Sequence, residues 1–158
     1  MPEYGIGQGF DIHLFTEGRP LMLGGVRIPY DRGLLGHSDG DALLHAVIDA
    51  VLGAMCKGDI GTLFPDTDPD LEGADSSVLA SRVCDMMESS GYTAVNIDTT
   101  VITEMPKLSG YKQMMSDSIS RLFHCVNVSV KAKTAEKCGE IGKGNALACE
   151  CAVLLKRE

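Results

Sequence analysis

The sequence predicts an α+β fold, a two-layer α/β sandwich in which a mixed sheet carries helices on one face. Three observations lead there. Several segments are β-branched or alternate apolar and polar residues with the period of a strand. Three others carry helical apolar spacing, two of them opened by an N-cap aspartate. One short pair of apolar runs is closed by two glycines, as in a tight hairpin. Strands interspersed with helices, some joined by tight turns, fit a sheet with one helical layer. With 158 residues the chain can bury a core without disulfide or metal staples, so one domain spanning 1–158 is expected.

The elements follow in order. Tyr4 to Phe15 reads as a strand, and Leu21-Met22-Leu23 with Val26-Arg27-Ile28 as a hairpin turned by Gly24-Gly25. A polar loop, Asp31 to Gly40, leads to a helix from Asp41 to about Met55. Gly58 to Pro69 is rich in breakers and is expected to be irregular. Asp75-Ser76-Ser77 opens a second helix that ends at Ser90-Gly91, with Val78, Leu79, Val83 and Met86 as its apolar stripe. Thr93 to Thr103 is a long strand, and Tyr111 to Phe123 a third helix with Met114, Met115, Ile119 and Leu122 inward. Strands then occupy about Val126 to Lys133 and Ala146 to Leu155, with a loop from Thr134 to Asn145 between them.

The formal net charge of -8 argues against a polyanion partner, because that affinity is built from Lys and Arg contacts to phosphates. Aromatic residues make up 5% and Trp is absent, which also disfavours a base-stacking platform; nucleic acid is not an expected partner. No run of about 18 apolar residues occurs and the first residues lack a signal-peptide pattern, so neither membrane insertion nor export is expected. The six cysteines form no CxxC pair, and free thiols in a reducing compartment fit best, with Cys149 and Cys151 as buried thiols on a strand.

Chemistry concentrates in two early stretches. Asp11 and His13 alternate with Phe10 and Ile12, which puts the carboxylate and the imidazole on the same face of a strand. His45 follows the N-cap position of the first helix by one turn, with Asp49 one turn further on the same face. Two imidazoles and a carboxylate can bind Zn2+ with a fourth position open, although a His near an apolar helix is commonly just a satisfied, partly buried residue. His37-Ser38 before the helix can hold a phosphate or simply cap it. Asp59, Asp66 and Asp68 read equally as turn residues, and Glu136 as a Mg2+ ligand or a surface glutamate. Gly5-Ile6-Gly7-Gln8-Gly9 lies within a strand and precedes no helix, so it is not a dinucleotide loop; Gly142-Lys143-Gly144 lacks the Ser or Thr of a Walker A loop.

Taken in order, Gly9-Phe10-Asp11-Ile12-His13, His37-Ser38-Asp39-Gly40-Asp41 with His45-Ala46, Gly58-Asp59-Ile60-Gly61 through Phe64-Pro65-Asp66-Thr67-Asp68, Pro106-Lys107 and Thr134-Ala135-Glu136 closely resemble the 2-C-methyl-D-erythritol 2,4-cyclodiphosphate synthase family over essentially the whole chain. The resemblance implies conversion of 4-diphosphocytidyl-2-C-methyl-D-erythritol 2-phosphate to the 2,4-cyclodiphosphate with release of CMP. It implies a divalent ion, usually Zn2+, at Asp11, His13 and His45, and a Mg2+ or Mn2+ at Glu136. It assigns His37 and Thr134 to transition-state stabilisation, Ser38 to the 2-phosphate, and Asp59, Ile60 and Gly61 to the erythritol half, bordered by Phe64, Pro65, Asp66, Thr67 and Asp68. Thr103, Glu104, Met105, Pro106 and Lys107, with Lys133, Ala135 and Glu136, match the cytidine diphosphate side. A homotrimer with sites between subunits is implied, in a bacterial cytoplasm or a plastid stroma. The chain departs from the family pattern at Ala135, Glu140 and Gly142-Lys143-Gly144-Asn145, where a Thr, a Phe and Gly-Arg-Gly-Glu are common. Glu140 and Lys143 therefore bear on a pocket along the trimer axis, where Lys143 retains charge but not the bidentate fork of arginine. The competing class is a metal- or nucleotide-binding module without turnover, against which the retention of both metal sites with His37 and Thr134 speaks.

Overall fold

The computed structural model describes residues 1–158. Its centre is a five-stranded mixed sheet in the order β4-β1-β7-β5-β6, formed by β1 (Glu3–Thr16), β4 (Gly33–Leu34), β5 (Tyr92–Ile102), β6 (Val128–Lys133) and β7 (Ala146–Arg157). Only the β5–β6 pair is parallel; β1 runs antiparallel to β7 and to β4, and β7 antiparallel to β5. The expected hairpin is present as β2 (Leu21–Leu23) and β3 (Val26–Ile28), turned by Gly24 and Gly25 at φ 63° and 75°, a left-handed conformation that glycine adopts without strain.

Helices α1 (Ala42–Ala54), α3 (Ser76–Ser89) and α4 (Lys112–Phe123) lie over the sheet, α1 against β1 and β7, α3 against α1 and β5, and α4 against β6. Helix α1 is buried almost all round, as befits a helix sandwiched between the sheet and a second helix. The glycines of β1 admit it. A Cβ on Gly7 or Gly9 would stand 1.7 or 1.9 Å from the carbonyl oxygens of Ala50 and Ala46, so helix and strand backbones meet with no side chain between them. The other face of β1 carries Tyr4, Ile6, Phe10, Ile12 and Leu14, each about half exposed or more. A register irregularity between Ala94 and Asn96 in β5 shifts strand parity, leaving Tyr92 and then Ile97, Thr99 and Val101 buried.

Several sequence expectations require correction. The inward stripe of α3 is Leu79, Ala80, Val83, Cys84 and Met87; Val78 is 50% exposed and Met86 only borders the core. In α4, Met115, Ile119 and Phe123 are buried, Leu122 packs at the margin and Met114 is exposed. Leu79 and Val83, and Met115 and Ile119, are buried as expected; the other members of each stripe sit one position away from the buried face, which in α3 is completed by the small Ala80 and Cys84 with Met87 and in α4 by Ser118 and Phe123. The irregular connection contains α2 (Ile60–Leu63) and a 3-10 turn at Pro69–Leu71, the polar loop includes β4, and α5 (Gly139–Gly142) lies within the 134–145 loop. Asp59 and Asp68 create the first two turns by capping them, accepting from Thr62 N and Asp70 N. All six cysteines are free, with Cys149 and Cys151 buried as expected.

Candidate metal and phosphate site

Asp11 and His13 project from β1 toward His45 on α1. Asp11 Oδ2 lies 2.7 Å from His13 Nε2 and 2.9 Å from His45 Nδ1. The surrounding hydrogen bonds settle where the imidazole protons sit. His13 Nδ1 is 2.6 Å from the carbonyl oxygen of Leu35, which can only accept, so Nδ1 carries a proton and donates it. Ser76 Oγ donates to Asp39 Oδ1 at 2.5 Å and must therefore accept, at 2.8 Å, from His45 Nε2. In the neutral imidazoles this leaves a lone pair on His13 Nε2 and another on His45 Nδ1, both aimed at one carboxylate oxygen. Such convergence requires a cation between them, either a proton or a metal ion. The donor set fits a divalent ion of the zinc class.

Electrostatics agree with that geometry. Burial acts to raise the Asp11 carboxyl, but hydrogen bonds from His13 and His45 outweigh it and hold the group at about 2. The bond to Asp11 raises His13. Asp49, one turn after His45, accepts from Ile60 N at 2.7 Å, and burial pushes its carboxyl up. Its link holds α2 against α1.

An outer ring of bonds orients this centre. Asp39 receives Ser76 N as well as Ser76 Oγ and caps Asp41 N. Asp41, fully buried, caps α1 through Leu44 N and also accepts from Gly24 N and Gly25 N, tying the hairpin to the helix that carries His45. Arg19 donates to the carbonyl oxygens of Gly36 and Ser38, which fixes the loop before α1. Sequence reasoning missed Arg19, Asp39 and Ser76 as parts of the site; only Asp39, inside the His-Ser-Asp-Gly-Asp run, carried a signal that could have marked it.

The centre forms the floor of a cleft of about 270 Å³. Of the residues expected there, His37, Ser38, Ile60, Gly61, Phe64 and Asp66 line it with Asp11, His13 and His45. Ser38 Oγ is 3.1 Å from His45 Nε2, and His37 Nε2 donates to Asp68 O at 3.3 Å. Asp59, Pro65, Thr67 and Asp68 belong to the same loop but lie off the cleft lining: Asp59 caps α2, and Asp68 borders a neighbouring hollow with Leu63 and Arg82.

Thr103, Glu104, Pro106, Lys107, Lys133 and Thr134 assemble elsewhere, around a second cleft of about 230 Å³ at the ends of β5 and β6. The Met105–Pro106 peptide is cis, and Thr103 Oγ1 donates to Met105 O at 2.6 Å. Beyond Thr134 the chain turns sharply, with Glu136 and Lys137 at φ 50° and 61°. Glu104 Oε1 braces that turn by accepting from Ala135 N and Lys137 N, and Thr134 Oγ1 donates to Glu136 Oε1 at 3.0 Å. Within one chain, Thr134 and Glu136 are thus brought together with each other and not with the Asp11, His13 and His45 centre. Glu140 and Lys143 line neither cleft; Lys143 Nζ donates to Glu140 Oε1 at 2.8 Å, while Asn145 holds the other oxygen. Lys143 is therefore already neutralised by its neighbour.

A sheet with one helical layer, holding two histidines and a carboxylate that could hold a metal ion on a cleft floor, defines an α+β protein with a second, lysine-bearing cleft. The chain belongs to the YgbB family, whose sequence model matches residues 4–156. It is 51% identical over 155 residues to the 2-C-methyl-D-erythritol 2,4-cyclodiphosphate synthase of Bacillus pumilus, covering 97% of this chain and 98% of that one. The structure of the bifunctional IspDF from Campylobacter jejuni superposes with a TM-score of 0.95 at 42% identity, over all of this chain and 43% of that longer one. The IspF–CDP complex of Plasmodium falciparum superposes with a TM-score of 0.86 at 36% identity, over 98% of this chain and 97% of that one. No helix is long and apolar enough to cross a membrane.

Proposed function

We propose that this chain is a cyclising, CMP-releasing phosphorus–oxygen lyase, converting 4-diphosphocytidyl-2-C-methyl-D-erythritol 2-phosphate to 2-C-methyl-D-erythritol 2,4-cyclodiphosphate for isoprenoid precursor synthesis. An oxygen of the 2-phosphate bonds to the β-phosphorus, the bond from that phosphorus to the CMP oxygen breaks, and its electron pair leaves with CMP. No protein nucleophile is needed. The catalytic burden is to fold the substrate back on itself and to neutralise charge on the phosphoryl oxygens. The observation that carries the reading is the pair of histidine lone pairs converging on Asp11 Oδ2 at a cleft floor, in a chain half identical to named synthases.

Asp11, His13 and His45 would hold Zn2+, and Glu136 would supply one carboxylate to a Mg2+ or Mn2+ completed by substrate oxygens. Bound, these ions contribute positive charge at the diphosphate. The chain's own groups do the positioning. His37 and Ser38 line the cleft beside the centre, Ser38 with its hydroxyl for the 2-phosphate and His37 for the transition state, where its Nε2–H would have to exchange Asp68 O for a phosphoryl oxygen. Asp59, Ile60 and Gly61, with the loop Phe64, Pro65, Asp66, Thr67 and Asp68, take the erythritol half, with Phe64 as an apolar wall. Thr103, Glu104, Met105, Pro106 and Lys107, with Lys133 and Ala135, take the cytidine diphosphate half, where Lys107 and Lys133 offset phosphate charge and the Thr134 hydroxyl meets the transferring group. Local cations suffice for an acidic chain to bind a polyanionic small molecule.

Because the two clefts are separate on one chain, each complete site is composite, the metal cleft of one subunit facing the nucleotide cleft of its neighbour in a homotrimer. The apolar row on the helix-free face of β1 supports such an assembly, since a row of this kind on a sheet is ordinarily covered. The chain acts as one synthase domain over 1–158, in a reducing compartment such as a bacterial cytoplasm or plastid stroma, where six thiols persist. The test is turnover of the diphosphocytidyl substrate after chelation and after restoring Zn2+ with Mg2+. CMP release should vanish and return; ligand binding with no CMP release under either condition identifies a binding module instead.

A further inference from the structure

A second convergence of metal-ligating atoms lies apart from both clefts, where α3 meets the end of α4. Cys84 and Glu88 are one turn apart on α3, and His124 caps α4 in a left-handed conformation at φ 50°. Cys84 Sγ is 3.8 Å from His124 Nδ1, and the same nitrogen is 2.6 Å from Glu88 Oε1. All three donor atoms fall within 4.8 Å of one another. We propose that Cys84, Glu88 and His124 form a second metal site, one that takes a thiophilic divalent cation of the zinc class and ties α3 to α4.

The donor chemistry selects that class. Thiolate, imidazole and carboxylate are the ligand types of Zn2+, whereas Mg2+ and Ca2+ take oxygen. Tetrahedral coordination with ordinary metal–sulfur and metal–nitrogen bonds places the sulfur and nitrogen about 3.5 Å apart, close to the spacing already present. The Glu88 oxygen must withdraw from the imidazole by less than about 1 Å while settling within about 3.6 Å of the sulfur, and its side chain, 45% exposed, is free to move. The His124 side chain is 65% exposed, so the fourth position faces water, while Cys84 supplies a buried wall at 2% exposure. Burial pushes the Cys84 thiol up to about 11. The thiol therefore stays protonated until an ion displaces its proton to solvent. The proton on His124 Nδ1 moves to Nε2 by tautomeric exchange through water, so the ring stays neutral, binds through Nδ1 and keeps an Nε2–H in solvent.

Sulfur makes the site separable from the Asp11, His13 and His45 centre, which has none. Cobalt(II) titrated into the metal-free full chain should produce a sulfur-to-cobalt charge-transfer band in the near ultraviolet, saturating at one equivalent of band-forming metal. The band should persist in His45→Ala and in a Cys56→Ser, Cys138→Ser double variant, vanish in Cys84→Ser, and be displaced by Zn2+. His124→Ala, an exposed change that leaves the core untouched, should weaken cobalt binding at this band at least tenfold. A wild-type protein with no charge-transfer band at saturating cobalt overturns the proposal. So does a band that survives Cys84→Ser, or one whose cobalt affinity is unchanged by His124→Ala.

Discussion

Gly7 of β1 lies against Ala50 of α1 so closely that a Cβ on the glycine would sit 1.7 Å from the Ala50 carbonyl oxygen. The obstructing atom is helix backbone and cannot rotate away. Gly7→Ala should therefore cost at or above the upper end of the roughly 1–3 kcal/mol typical of overpacking. Gly53, within α1, has only Gln8 O at 4.0 Å, so Gly53→Ala should be neutral or stabilising by about 0.5–1 kcal/mol through helix propensity. Urea unfolding of both variants checks the pair, and equal stabilities would sink the account of how α1 seats on β1.

Removing a ligand and removing its support should differ in degree. His45→Ala deletes one of three donors on a helix that favours alanine, so metal content and CMP release should fall together while the fold persists. Ser76→Ala removes the 2.8 Å acceptor for His45 Nε2–H together with the hydroxyl bond to Asp39, leaving Ser38 Oγ at 3.1 Å as that nitrogen's remaining partner, and metal affinity should drop by about 10–100-fold, the usual effect of losing an outer partner. Excess Zn2+ should rescue Ser76→Ala and fail to rescue His45→Ala. Full activity in a demonstrably metal-depleted His45→Ala protein would refute the assignment.

The metal-stripped protein should have a two-sided pH response. Asp11 is depressed from 3.8 to about 2, so its contribution, on the order of 2 kcal/mol, is present above pH 3.8 and lost as pH falls toward 2. His13 is raised above 6.5, so its contribution is present below 6.5 and lost as pH rises through its folded pKa. If Zn2+ takes the place of the proton shared with the histidines, its stabilisation should be larger at pH 8 than at pH 5.5. Melting temperatures with chelator and with Zn2+, for wild type and His13→Gln, measure this. An identical Zn2+ gain at both pH values in the wild type would contradict it.

The legible parts of this molecule were those whose signal is local. Strand parity placed Asp11 and His13 on one face, and an aspartate N-cap placed His45 one turn into a helix. The partners that orient them were not legible, because Ser76 reaches Asp39 across 37 residues and Arg19 reaches Gly36 and Ser38 across 17 and 19, with no periodicity to announce either. The glycine row of β1 was recognised as unsuited to a dinucleotide, but its use as a seat for α1 depends on a helix more than 30 residues away. Val78 and Met114 were drawn inward by their hydrophobicity, whereas Ala80 and Cys84 are buried because helices approach closely there. Short turns such as Ile60–Leu63 exist through one aspartate cap and leave no periodic trace.

The separation of Thr134 and Glu136 from the Asp11 centre leads to the last prediction. If complete sites are shared between subunits, Asp11→Ala disables the metal half of a site and Glu136→Ala the opposite half contributed by a neighbour. On that arrangement each variant by itself should be inactive. In a trimer assembled from both, some junctions must join an intact metal half from a Glu136→Ala subunit to an intact Glu136 half from an Asp11→Ala subunit. Random mixing of equal amounts places such a junction at about a quarter of all positions, by the chance of drawing the right neighbour on each side. CMP release should therefore return to roughly a quarter of the wild-type level, provided subunit exchange is driven by mild denaturation and renaturation and verified by mass spectrometry of differently tagged chains. The exposed row Tyr4, Ile6, Phe10, Ile12 and Leu14 supplies an independent check, since Ile6→Glu should weaken association by introducing a charge into a surface that assembly must desolvate. Demonstrably mixed trimers that stay inactive would place each site within a single subunit.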